Sequence, residues 1–158
     1  MKNPLLRLVS LALCLSGLVG CTSHGTLGGI AVTVADLRPA APPAPENQAV
    51  LTLHFANENV AAVAMDSSTH RLYLNGTYVG KGTITSPEGL PAMAPIALKI
   101  SVNLENPALV RQLANAAGAK TASYRLESDM LVVFGDDKIH VKSIEQGTVD
   151  LSPLAGAR

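Results

Sequence analysis

Four histidines, one pair of adjacent carboxylates, a glycine-rich stretch holding a lysine, and a cysteine near the N-terminus are the residues with which this chain could do chemistry. His24, His54, His70 and His140 contain no His-x-x-x-His pair and no Glu beside a His in the zincin pattern, so zinc-ligand spacing is missing. His54 and His70 fall on strands that could bring them together, but on polar faces, where a solvated imidazole is the ordinary outcome. Asp136-Asp137 follows Gly135 and reads as a turn rather than as an acid/base couple. No serine sits in a Gly-x-Ser-x-Gly elbow. The sequence therefore predicts no catalytic, cofactor-binding or metal-binding residues, and no enzyme.

The stretch RLYLNGTYVGKGT, residues 71–83, invites a phosphate-cradle reading. A P-loop needs four residues between its first glycine and Gly-Lys-Ser/Thr, followed by a helix. Here three residues separate Gly76 from Gly80, Gly82 stands where the hydroxyl should be, and Pro87 and Gly89 would break a following helix. Leu72 and Leu74 alternate with Arg71 and Tyr73 up to Asn75-Gly76, the pair that best tolerates the positive φ angles of a type I′ turn. The stretch is a hairpin, and no nucleotide is expected.

Cys21 ends the run MKNPLLRLVSLALCLSGLVGC, which has Lys2 and Arg7, then a short apolar core, then small residues. That is a secretory signal too short to be a stable membrane span. Leu18-Val19-Gly20-Cys21 resembles the bacterial lipobox, which implies cleavage before Cys21 and acylation of that cysteine, with palmitate-type chains contributing about 0.8 kcal/mol per buried CH₂. Thr22 after the cysteine favours the outer membrane, facing the periplasm, by analogy with bacterial lipoproteins. The expected organisation is a signal peptide at 1–20, a lipidated tether at 21–29, one domain at 30–152 and a tail at 153–158. Cleavage removes Cys14, so no intrachain disulfide can form. It also removes Lys2 and Arg7, leaving ten basic residues against twelve acidic ones. Nothing in that balance attracts nucleic acid, and the membrane contact is through lipid on Cys21.

The elements that must carry these residues are mostly strands. Ile30, Val32 and Val34 alternate before DLRP, and the proline-rich AAPPAPENQ is an exposed loop. Leu51, Leu53 and Phe55 alternate with Thr52 and His54; residues 60–70 predict an irregular or bent strand leading into the hairpin. Ile96, Leu98, Ile100, Val102 and Leu104 make the strictest alternation in the chain. A helix follows, with Asn106 as N-cap, Pro107 in its first turn, Leu109, Val110, Leu113, Ala114 and Ala117 on one side, and Gly118 as its stop. Three further strands are expected at 122–128, 130–134 and 138–151, the last with an irregularity near Gln146-Gly147. Many short strands and one short helix predict a mainly β fold, an immunoglobulin- or fibronectin III-like β-sandwich. The five aromatics, Phe55, Tyr73, Tyr78, Tyr124 and Phe134, all lie in these strands and suit packing rather than a stacking platform.

Taken in order, VTVADLRP, LTLHFANEN, HRLYLNGTYVGKG, YRLESDML and GTVDLS resemble the group 2 late embryogenesis abundant family, or WHy (water stress and hypersensitive response) domain. Its Asn-Pro-Asn element corresponds to Asn57-Glu58-Asn59, with glutamate in place of proline, and its hairpin element to Tyr73-Leu74-Asn75-Gly76 through Gly80-Lys81-Gly82. The resemblance implies the same sandwich with one helix, no catalytic residues, and a protective role under drying or freezing. Asn57 and Asn59 are expected to bond the backbone of their own turn. Two other roles suit the residues: a carrier of an apolar ligand or lipid, and a structural partner of other envelope proteins.

Overall fold

The computed structural model describes residues 29–116 and 120–155. These residues form eight strands: β1(Ile30–Pro39), β2(Gln48–Asn57), β3(Val63–Leu74), β4(Thr77–Ile84), β5(Glu88–Leu90), β6(Pro95–Leu104), β7(Thr121–Phe134) and β8(Asp137–Asp150). One helix, α1(Pro107–Asn115), joins β6 to β7, and a 3-10 turn, Ser152–Leu154, follows β8. The fold is mainly β with one short helix, as the alternation of the sequence predicts. All pairing is antiparallel, in the order β1-β2-β6-β4-β3-β7-β8 with β5 added to β3, and β1 lies against β8 so that the sheet nearly closes on itself. The two layers of the sandwich are thus one sheet folded over a shared core.

The core follows strand parity, and bulges reset it. Ile30, Val32 and Val34 point inward; Ala35 is an extra residue against β2, after which Leu37 is the inward one. In β3, Val63 and Met65 are buried, Asp66 is extra against β7, and the inward set becomes Ser68, His70, Leu72 and Leu74. This bulge gives physical content to the bent strand expected there. It also corrects the expectation for His70: a one-residue slip turns every following side chain to the other face, so His70 is buried while His54 stays exposed on β2.

Two other expectations are corrected. Residues 122–128 and 130–134 are one strand, β7, because Asp129 stays in the ladder between Thr69 and Lys142. No irregularity occurs at Gln146-Gly147, where β8 pairs with β7 in unbroken register. Gly147 serves a close approach instead: a Cβ there would lie 2.8 Å from the ring of Tyr124. β5, in the Pro/Gly-rich passage after the hairpin, was not apparent from periodicity; three residues are too few to show one.

In α1 the Asn106 side chain accepts from the Leu109 N–H at 3.1 Å, Pro107 opens the helix, and Val110 and Ala114 are buried with Leu109 and Leu113 packed beside them. Ala117 and Gly118 lie outside the described residues.

Candidate functional site

The parity that turns Leu51, Leu53 and Phe55 inward also carries Asn57 inward, at the end of β2. Its amide nitrogen donates toward the carbonyls of Ala61, Leu90 and Pro91 at 3.0, 3.1 and 3.1 Å. Its oxygen accepts from the backbone N–H of Asn59 at 3.0 Å and from the Asn59 side chain at 2.8 Å. One buried side chain thereby closes its own turn and ties it to β5. Glu58, where the family pattern has proline, uses the N–H that proline would lack: it donates to the carbonyl of Gly29 at 3.2 Å.

Asn75 and Gly76 sit at φ 46° and 79°, the two left-handed positions of the hairpin turn. The Asn75 oxygen accepts from the N–H and from the hydroxyl of Ser123, both at 3.0 Å, fixing the turn to the start of β7. Gly80 and Gly82 have a different reason to be small. They form, with Lys81, the whole pairing of β4 with β6, and a Cβ on Gly80 would lie 2.2 Å from the carbonyl oxygen of Asn103. A Cβ on Gly82 would lie 2.7 Å from Ile100 Cδ1 and 2.9 Å from the carbonyl oxygen of Ser101. The Gly-x-Gly is where one layer of the sandwich passes into the other, which nothing in the motif's spelling reveals.

His70 does not meet His54. Its Nε2 is 2.8 Å from the Ser68 hydroxyl and its Nδ1 2.8 Å from the Ser128 hydroxyl, with the Phe55 ring edge-on at 5.6 Å between centroids. Burial pushes the imidazole down to about 4, so it is neutral near pH 7. A serine–histidine contact of this length suits a nucleophile and its base, but all three residues are buried, at 4% exposure or less. His140 lies on the surface, 3.3 Å from Asp129. Gly135 takes φ 62° in the turn it forms with Asp136, and Asp137 opens β8. Among the described residues no group of three or more His, Cys, Asp or Glu is placed to hold a metal, and no buried side-chain polar atom lacks a partner.

Tyr73 and Tyr78 pair across the hairpin with ring centroids 5.4 Å apart, and the Arg125 guanidinium lies 4.0 Å over Tyr73. This is cross-strand packing on the outer face. At the helix end, a cleft of about 260 Å³ opens between the proline-rich loop and α1, floored by Ala49, Leu104, Val110 and Leu154. Arg111 and Glu46 pair at 3.5 Å beside it. Periodicity does not reveal such a cleft, because it depends on how the loop folds back. Cys21, Thr22 and His24, and with them the signal peptide and most of the tether, lie outside the described residues.

A family model for late embryogenesis abundant protein matches residues 52–143. No curated protein matches the chain. Among solved structures, that of an Arabidopsis thaliana protein is similar at 16% identity, with a TM-score of 0.55, over 82% of this chain and 88% of the other. A second solution structure, of a protein described as late embryogenesis abundant, is similar at 13% identity with a TM-score of 0.51, over 92% and 84%. At such identities the structures speak for the fold alone, whereas the sequence model spans more than half the chain, including the asparagine turn and the glycine hairpin. The chain belongs to the late embryogenesis abundant family, a family related to stress and desiccation.

Proposed function

We propose that this chain is a WHy-type, lipid-anchored protein of the bacterial envelope that protects other proteins during water stress through weak surface contacts. One observation carries the reading: the residues that mark the family are engaged in the fold itself. Asn57, Asn59 and Asn75 are hydrogen-bonded to backbone or to one another, and Gly80 and Gly82 are covered by β6. With its motifs serving as joints, the domain offers partners its surface rather than a reaction centre. The Leu18-Val19-Gly20-Cys21 run supports anchoring, with outer-membrane placement following from Thr22.

The test dries an unrelated enzyme with increasing amounts of the purified full chain, without ATP or metal, beside an equal mass of a neutral globular protein. Protection should exceed the control at every concentration; equal protection sinks the protective reading. Cys21→Ser should accumulate as uncleaved, unlipidated precursor, and continued acylation of that variant would overturn the anchoring. A second reading, an apolar-ligand carrier, is favoured by the cleft beside α1. It predicts a retained apolar molecule in protein purified without delipidation, displaced in Val110→Trp.

A further inference from the structure

Three large apolar side chains stand exposed among the described residues: Val60 at 92%, Met93 at 69% and Ile144 at 63%. Scattered singly they would need no explanation. All three, however, gather around Gly29, where the described chain begins. Gly29 is bonded to Glu58, two residues before Val60. The Met93 N–H donates to the carbonyl of Asn59 at 3.2 Å, joining the loop 91–94 to the loop 58–62, and Asn57 holds both from beneath. Ile144 lines one shallow cleft with Gly29, Ile30 and Glu58. Met93 is also held at φ 52°, a left-handed conformation unusual for a residue other than Gly, Asn or Asp. An exposed methionine kept in that conformation does nothing for the core, and strain of this kind collects at functional surfaces.

We propose that this end of the sandwich rests on a lipid surface, with Val60 and Met93 among the headgroups. The inference rests on the anchoring at Cys21 proposed above. Between Cys21 and Gly29 the chain can span at most about 28 Å when fully extended. The tether leaves the domain beside the loops 58–62 and 91–94, at the start of β3, whereas the Asn75-Gly76 turn lies at the other end of that strand. The near end is thereby the one presented. It also carries Glu58 and Asp136 together with Lys138 and Lys142, charges of both signs, so zwitterionic headgroups fit it better than anionic ones.

The experiment uses the full, processed chain with a single cysteine introduced as Val60→Cys, Met93→Cys or, at the far end, Thr77→Cys. Cys14 leaves with the signal peptide and Cys21 carries lipid, so the new thiol is the free one to label with an environment-sensitive fluorophore. On phosphatidylcholine vesicles containing brominated lipid, the labels at 60 and 93 should shift to the blue and be quenched, and that at 77 should do neither. Mass spectrometry of the same sample reports acylation. A lipidated chain whose labels at 60 and 93 are quenched no more than that at 77 overturns this contact and leaves the anchoring intact. A chain without lipid overturns both. A blue shift that depends on protein concentration and not on brominated lipid assigns the patch to a second copy of the chain, and likewise overturns the contact.

Discussion

The backbone N–H of Val34 donates to the hydroxyl of Tyr124 across 3.2 Å, linking β1 to β7. Val34 immediately precedes the β1 bulge, and Tyr124 supplies it with an acceptor from the facing layer. The same ring lies over Gly147 on β8, so one side chain of β7 reaches two other strands.

Tyr124→Phe should therefore destabilise the domain by about 1–2 kcal/mol, because it removes the acceptor of a buried N–H while keeping the ring. Gly147→Val should cost more, since its Cβ lies too near the ring to be absorbed without moving it. Urea unfolding of both variants checks this; a Tyr124→Phe midpoint equal to wild type would show that the Val34 N–H needs no protein partner.

His70 makes stability depend on pH in a definite direction. Its folded value, about 4, lies below the ordinary histidine value of 6.5, so between these values the unfolded chain binds the proton better and stability falls as pH falls. The contribution is complete above about pH 6.5 and is lost towards pH 4. Between pH 7 and pH 5 the loss should be about 2 kcal/mol. His70→Gln should remove that part of the slope, whatever it does to stability at pH 7. Denaturant unfolding of both proteins at the two pH values, compared as a difference, isolates the histidine; parallel losses would place the proton elsewhere.

Gly76 and Gly80 of the hairpin should respond differently. Gly76→Ala meets open space and is opposed only by φ 79°, at about 1 kcal/mol. Gly80→Ala brings a Cβ onto a backbone oxygen that is itself part of the β6 ladder, and should destabilise by about 3 kcal/mol or more. The order of the two melting temperatures is the measurement, and its reversal would contradict the close approach.

Asn57→Ala should destabilise by about 2–4 kcal/mol, leaving the carbonyls of Ala61, Leu90 and Pro91 short of a donor. Hydrogen exchange should rise first at the N–H groups of Asn59 and Met93, which belong to the loops that asparagine joins. Exchange that rises uniformly over the domain would assign Asn57 to general stability rather than to this joint.

Local chemistry was readable from the residues: Asn75-Gly76 specified its turn, Asn106-Pro107 its helix start, and Ile96 through Leu104 a strand with one buried side. What failed depended on partners distant in sequence. A bulge at Asp66 is invisible to a period-two pattern, yet it decides that His70 lies in the core. Asp129 looks like a break because aspartate is a poor strand former, and it remains in β7 because ladders on both sides hold it. Gly147 resembled an irregularity, since the ring that requires it is contributed from β7.

The position of β1 against β8 has a consequence for how the chain is made. The first strand to be synthesised finds one neighbour, β2, soon after, but its other side waits for the last strand of the domain. Until β8 is out, β7 has an unpaired edge and β1 lacks the strand that lies against it, and such edges are where strands of other chains add. Contacts between residues so far apart in sequence also form slowly. A nascent or truncated chain that stops before Asp137 is thus the aggregation-prone species, and holdase binding during synthesis would act on that interval rather than on the finished domain.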